Sequence, residues 1–197
     1  MAMQNEERDP MTGLWKGKWV VERLENILGH NGQIALLLID IDRFKAFNDQ
    51  QGHERGDEKI VEIAREIESL SGKSSLVFRL GGDEFGVILY EASLQKAREI
   101  AETIRAHRKP ESLTTHDEKE IAALTLSIGI AHCPDHAQNA QNLVQAADLA
   151  LLKAKDGGRL PDGTNYIGRN HVMAIGDFWD EFPDQSARFL RHEFTGN

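Results

Sequence analysis

The run Ile34-Ala35-Leu36-Leu37-Leu38-Ile39 constrains the fold of this chain more than any other feature. Apolar residues follow one another there without alternation, which is the pattern of a central strand buried on both faces. The run ends at Asp40-Ile41-Asp42, so acids stand where a buried strand leaves its sheet. Open sheets of α/β proteins place ligands at such strand ends.

A second acidic element follows. Arg79-Leu80-Gly81-Gly82-Asp83-Glu84-Phe85 lies between the apolar runs Leu76-Val77-Phe78 and Phe85-Gly86-Val87-Ile88-Leu89. This reads as a β-hairpin whose tip is opened by Gly81 and Gly82, which both tolerate positive φ. Asp83 and Glu84 then stand side by side, and adjacent carboxylates in a tight turn repel each other unless a cation is near. The pair suggests a divalent metal; a solvated acidic turn is the bland alternative. A central strand ending in Asp beside a hairpin tipped with Asp-Glu resembles the palm of nucleotidyl transferases, whose carboxylates clamp two metal ions.

The resemblance becomes specific in the longer motifs. Asp40-Ile41-Asp42-Arg43-Phe44-Lys45-Ala46-Phe47-Asn48-Asp49-Gln50-Gln51-Gly52-His53-Glu54-Arg55-Gly56-Asp57 is similar to the DxDxFKxxNDxxGHxxGD signature of GGDEF domains, the diguanylate cyclases. Asp9-Pro10-Met11-Thr12-Gly13-Leu14 resembles that family's DxLTGL opening, and Leu126-Ser127-Ile128-Gly129-Ile130-Ala131 resembles its SxGIA strand. Ala147-Asp148-Leu149-Ala150-Leu151-Leu152-Lys153-Ala154-Lys155 resembles its ADxALYxAK helix. The motifs run from Asp9 to Val172 in the family's order.

Bulk properties agree with a single domain. The chain has 197 residues, enough for a sizeable core. No apolar stretch approaches bilayer length and no signal-peptide pattern opens the chain, so neither membrane contact nor export is expected. The lone Cys133 fits a reducing compartment, and a cytoplasmic location is expected. Net charge is −9 with no Lys/Arg stripe, which argues against nucleic acid as a partner and against a template-dependent polymerase. The histidines form no credible metal set; Pro134 between His132 and His136 favours a loop there.

Periodicity predicts a helix over Trp15–Leu28, a strand over Gln33–Ile41, a short helix near Arg43–Asn48 and an amphipathic helix over Glu58–Leu70. The hairpin comes next, then a helix over Leu94–Arg108 and a polar loop from Pro110 to Glu120. A strand over Ile121–Ala131 and a helix over Leu143–Lys155 complete the order. This β-α-β-β-α-β order is an α/β (α+β) pattern suited to a ferredoxin-like sheet with helices on one face. The resemblance implies the same palm-like fold, a central mixed sheet flanked by helices.

The resemblance also implies roles. Two GTP would condense into cyclic di-GMP, each 3′-hydroxyl attacking the other's α-phosphorus, with Mg²⁺ as cofactor (two ions per GTP half-site) and Mn²⁺ as a substitute. Asp40, the backbone carbonyl of Ile41 and Asp83 would hold the metal, and Asp83 is the family's proposed proton acceptor. Glu84 would complete the metal site or orient the hydroxyl, and the sequence does not divide those roles. Backbone N–H groups around Asp42 to Lys45, Phe44 included, would open a helix and cradle phosphates, with Lys45 stabilising their charge. Asn48 and Asp57 would read guanine, whose N1–H and exocyclic amine suit a carboxylate as adenine's edge does not. His53 stands near base or ribose, or packs as a loop histidine.

Some places depart from the family. Its product-inhibition RxxD pair is replaced by Gly72 and Ser75, so that site should be lost. Lys16-Gly17 replaces the Asn-Arg after the opening motif, removing a structural Arg that would tie that turn. Leu152 stands for a usual Tyr, as a packing variation. The phosphate-contacting ending appears twice in part: Lys155 and Arg159 keep the expected spacing, and Gly168-Arg169-Asn170 offers Arg169 as the substitute.

Residues 1–8 read as a polar leader, 9–175 as the catalytic domain and 176–197 as an aromatic-rich tail packed on that domain or on a partner. The active site would form between two domains in a homodimer, and a sensor domain would be attached in a longer protein. The expected function is therefore a diguanylate cyclase. A catalytically silent GTP-binding module is the alternative, disfavoured by intact Asp40, Asp83, Glu84 and Lys45. A cyclic di-GMP receptor is disfavoured by Gly72 and Ser75.

Overall fold

The apolar run of the central strand is buried along its whole length, and the fold is arranged around it. The computed structural model describes residues 7–29, 33–108, 113–114, 120–121, 124–159 and 165–178. In chain order the elements are β1 (Trp15–Lys16), α1 (Val20–Leu28), β2 (Ile34–Ile41), α2 (Phe44–Gln51), α3 (His53–Ser71), β3 (Ser75–Gly81) and β4 (Glu84–Tyr90). Then come α4 (Leu94–His107), β5 (Leu113–Thr114), β6 (Glu120–Ile121), β7 (Leu126–Cys133), α5 (Ala140–Asp156), β8 (Gly157–Arg159), β9 (Asn165–Ile167) and β10 (Val172–Ala174).

The main sheet is mixed and six-stranded, in the order β1-β3-β4-β2-β7-β10. Its inner four strands, β3-β4-β2-β7, pair antiparallel in the ferredoxin-like order, while β1 joins β3 and β10 joins β7 in parallel. Alternation along β2 divides its side chains between two cores. Ala35, Leu37, Ile39 and Ile41 face a core shared with Ile60, Ile63 and Ile67 of α3 and Ala97, Ala101 and Ile104 of α4. Ile34, Leu36 and Leu38 face a second core shared with Val20 and Leu24 of α1 and the alanine-rich face of α5. Helices therefore cover both faces, where the element order had suggested one. The uninterrupted run in β2 requires this, since a strand apolar on both sides leaves neither face fit for water. Each fully buried Ile or Leu there contributes roughly 1.5–3 kcal/mol.

Gly129 sets how closely α5 lies on β7. A Cβ at that position would fall 2.2 Å from the Leu151 nitrogen and 2.3 Å from the Ala147 oxygen. Both atoms are helix backbone, so any side chain would lift the helix that carries Lys155.

Other elements shift from the sequence expectation. The first helix begins at Val20, because Trp15 and Lys16 pair with Phe78 and Arg79 as an edge strand. Gly17 then passes so close to Leu80 that a Cβ would lie 2.7 Å from its Cα. Helix α3 starts at His53, in a polar first turn with no apolar periodicity to announce it. The expected polar loop contains β5, which pairs with β6 as a separate ribbon, so β7 begins at Leu126. His132 lies within β7 and His136 in the turn after it, both buried. Of the expected tail, Phe178 is buried in the second core beside Ile175, and residues 179–197 lie outside the described residues.

Candidate active site

The antiparallel pairing of β2 with β4 puts Asp40 directly opposite Glu84. The Ile41 amide donates to the Asp83 carbonyl at 3.2 Å, which ties the strand end to the hairpin turn. The hairpin has the expected form: a bulge between Arg79 and Gly81, then Gly82 at φ 51°. The acids of the two motifs thus converge on one end of the sheet. Asp40 is buried, Asp83 half-buried and Glu84 exposed. Burial is the largest influence on Asp40 and raises its carboxyl above the ordinary range; Lys155 opposes this, while the charges of Asp83 and Asp42 add to it. Lys155, from the end of α5, donates to Asp40 Oδ2 at 2.8 Å.

These groups suit a hard divalent cation. The donors are carboxylate oxygens and the Ile41 carbonyl, with no nitrogen or sulfur, which is the chemistry of Mg²⁺ or Mn²⁺ rather than of zinc. Among the described residues no three His, Cys, Asp or Glu side chains form a ready cluster. The Lys155 ammonium instead supplies positive charge beside Asp40.

The base-recognition candidates lie on the α2–α3 pair. Phe44 and Phe47 are buried and stack at 6.4 Å, so Phe44 can face a ligand only through its backbone. Asn48 Oδ1 is buried and without a hydrogen-bond partner. Gly56 makes room for it, since a Cβ there would fall 1.9 Å from that oxygen. A buried amide oxygen with no protein donor is costly, and a ligand N–H would satisfy it. Asp57 follows Gly56, and it is exposed, as are His53 and Lys45. Arg159 lies in β8, and its side chain is outside the described residues. Arg169 lies at the site, its Nη1 3.8 Å from Asp42 Oδ1.

Two structural residues escaped the sequence reading. Arg79 donates to the Gly82 carbonyl through Nε (3.1 Å) and Nη2 (2.7 Å), and through Nη1 to Asp9 Oδ1 at 3.2 Å. Asp9 also accepts from the Thr12 amide and hydroxyl, at 2.9 and 2.7 Å. The opening turn is therefore anchored despite its missing Arg. Burial works against the Asp9 carboxylate, but Thr12 and Arg79 outweigh it and hold its pKa below the usual value. The second residue is Asp42, 1% exposed and surrounded by donors. Of its neighbours in space, Thr125 lies just outside the quoted motifs, and Asn170 was read only as part of the chain ending, with no link to Asp42.

At the expected product-inhibition position Gly72 ends α3 with φ 82°, and Ser75 Oγ donates to its carbonyl at 2.6 Å. Both residues serve a local turn beside a cavity of about 500 Å³ lined by Arg8, Trp15, Lys73 and Tyr90. Leu152, expected to pack in place of a Tyr, is 53% exposed.

The chain matches the family described as diguanylate cyclase, GGDEF domain, over residues 6–160. It is 35% identical over 156 residues to the probable diguanylate cyclase DgcC of Escherichia coli, covering 77% of this chain and 41% of that protein. It is 32% identical over 170 residues to the diguanylate cyclase VdcA of Vibrio cholerae, covering 85% of this chain and 46% of that protein. The chain thus spans less than half the length of these curated relatives. The GGDEF domain of DgcB from Caulobacter crescentus, solved in complex with c-di-GMP, superposes with a TM-score of 0.71 at 27% identity, over 86% of this chain and 96% of that one. The GGDEF domain of PA1120 from Pseudomonas aeruginosa gives 0.67 at 36% identity, over 83% of this chain and 97% of that one. Fold, acid pairing and sequence agree: the chain belongs to the diguanylate cyclase GGDEF domain family.

Proposed function

We propose that this chain condenses two GTP into cyclic di-GMP with release of pyrophosphate, each half-site of a homodimer holding one GTP. The observation that carries the reading is the pairing of Asp40 with Glu84 across adjacent strands, with Asp83 in the β3–β4 turn just before Glu84. Asp40, the Ile41 carbonyl, Asp83 and Glu84 would hold divalent metal. Bound there, the metal would neutralise triphosphate charge and lower the pKa of the attacking 3′-hydroxyl. Asp83, half-buried beside Asp40, accepts the hydroxyl proton. Main-chain N–H groups at the start of α2 and the ammonium of Lys45 bind phosphate oxygens. Lys155 and Arg169 would supply cations for the phosphate oxygens; positioning and charge stabilisation do most of the remaining work. Asn48 Oδ1 and Asp57 accept the guanine N–H groups, and His53 lines the base or ribose.

A sensor domain in a longer protein would hold the two half-sites together. No described helix is long and apolar enough to cross a membrane. Incubating the purified chain with GTP and Mg²⁺ and separating the nucleotides tests the proposal. GTP should give cyclic di-GMP, and ATP should give no cyclic dinucleotide. Linear products alone, or no turnover across a wide range of protein concentration, would overturn it.

A further inference from the structure

Between the end of α5 and β10 the chain makes a detour. β8 and β9 pair as a hairpin, and the chain then returns to the helix end. At Gly168 a Cβ would lie 2.2 Å from the Lys155 carbonyl oxygen, so the return passes directly over the helix C-terminus. The next two residues form an elbow: Arg169 and Asn170 both lie in the left-handed region, at φ 77° and 52°. Asn adopts this region readily, but Arg holds such an angle only where its surroundings impose it.

The Arg169 amide donates to Ala154 of α5 at 2.7 Å. The Asn170 amide donates to Asp42 Oδ2 at 2.8 Å, and the Asn170 side chain accepts from Arg105 of α4 at 3.2 Å. Asp42 also accepts from the Thr125 and Ser127 hydroxyls, both at 2.7 Å, and its amide donates to the Thr125 carbonyl at 2.9 Å. A buried group that only accepts, from two hydroxyls, an amide and a nearby guanidinium, matches a carboxylate and nothing smaller. Asp42 therefore joins the end of β2, the start of β7 and the elbow after α5.

We infer that Asp42 is a positioning residue: it seats the Arg169–Asn170 elbow, and so keeps a phosphate-binding cation beside the acids although a hairpin separates that cation from its helix. This rests on the proposed cyclase reading for its catalytic consequence, but not for the seating itself.

Two readouts keep these apart. Asp42→Asn can still accept from Thr125 and Asn170 through one oxygen, but it loses the charge that faces Arg169. Asp42→Asn and Arg169→Ala should each lower kcat/KM for GTP about 10- to 100-fold, the usual range for groups that orient a site from behind it. The double variant should be no more than about threefold worse than the poorer single one, because both changes remove the same cation. Multiplicative losses, or an unaffected Asp42→Asn, would overturn the inference. Amide hydrogen exchange of the chain without nucleotide tests the seating: in Asp42→Ala the Asn170 amide should lose protection while the amides of β2 keep theirs. Retained protection at Asn170 would also overturn it, and if Asp42→Ala does not fold, the kinetics of Asp42→Asn decide. A wild-type chain that makes no cyclic product, with Asn170 protection still dependent on Asp42, would sink the cyclase reading alone.

Discussion

Replacing Gly56 by Ala should damage guanine recognition while leaving the fold almost untouched. The added Cβ would stand 1.9 Å from Asn48 Oδ1, 2.9 Å from Asn48 Cγ and 3.2 Å from Phe44 Cζ. The first two atoms end a short side chain that can rotate, and the ring needs to give only a few tenths of an ångström. Moving the amide costs about 0.5–1.5 kcal/mol if it leaves its rotamer well. Ala in place of Gly within a helix returns up to about 1 kcal/mol. The two nearly cancel, and a change of about 1 kcal/mol moves the Tm of a chain this size by only about 2–4 °C. The effect on substrate is one-sided. With its oxygen displaced, a guanine N–H is left unpaired at about 1–3 kcal/mol, which lowers kcat/KM for GTP about 5- to 150-fold. Differential scanning calorimetry and steady-state kinetics on the same preparation give both numbers. Unchanged GTP kinetics at unchanged Tm would remove Asn48 from base recognition. A Tm drop of ten degrees or more would show that Asn48 cannot yield.

Stability should fall in mild acid through His136, whose imidazole is pushed down to about 4 by burial first and then by the neighbouring His132. The folded pKa lies below the unfolded value of 6.5, so the unfolded chain takes up the proton first, and stability present near pH 7 is lost between about pH 6.5 and 4. Between pH 7.5 and 5.5 this group alone should remove about 1.4 kcal/mol. His136→Asn keeps an acceptor for the His132 amide and should remove that part of the slope in urea titrations; an identical slope in the variant would contradict the assignment. Cyclisation should rise more steeply than linearly with protein concentration when dilute, since each half-site holds one GTP; strict proportionality down to nanomolar protein would argue against a shared site. Cyclic di-GMP at low micromolar levels should leave initial rates nearly unchanged, because Gly72 and Ser75 are spent on a turn. Potent inhibition that excess GTP cannot relieve would show that product binds at another allosteric site and would overturn this expectation.

The sequence announced what local pattern can announce. The run to Ile39 required a strand buried on both faces, and the glycines before Asp83 required a hairpin, so the convergence of Asp40 with Glu84 followed once the two strands paired. What stayed hidden depends on contacts between distant segments. The cover on the second face of the sheet lay in α1 and α5, whose apolar stripes do not say which face they meet. Trp15 and Lys16 continue an apparent helical period and become a strand only because β3 offers them an open edge. Arg79 looked like an ordinary hairpin residue; its link to Asp9 spans seventy positions. Asp42 looked like one more acid of a motif, and its cage of Thr125, Ser127 and Asn170 exists only in three dimensions. The doubled ending, Lys155 with Arg159 or with Arg169, could not be read from spacing, since only the paired backbone of β8 and β9 shows the hairpin between them.

A mass balance tests the assignment of this acid pair most directly. Purified chain at micromolar concentration, given GTP and Mg²⁺ and followed by phosphorus NMR, should release two pyrophosphates for every cyclic di-GMP formed, and chelation of the metal should stop both. Asp83→Asn should fold normally and yield neither product. Turnover in that variant at the wild-type rate, or pyrophosphate release from the wild-type chain without any cyclic dinucleotide, would contradict the assignment of this acid pair to cyclic di-GMP synthesis.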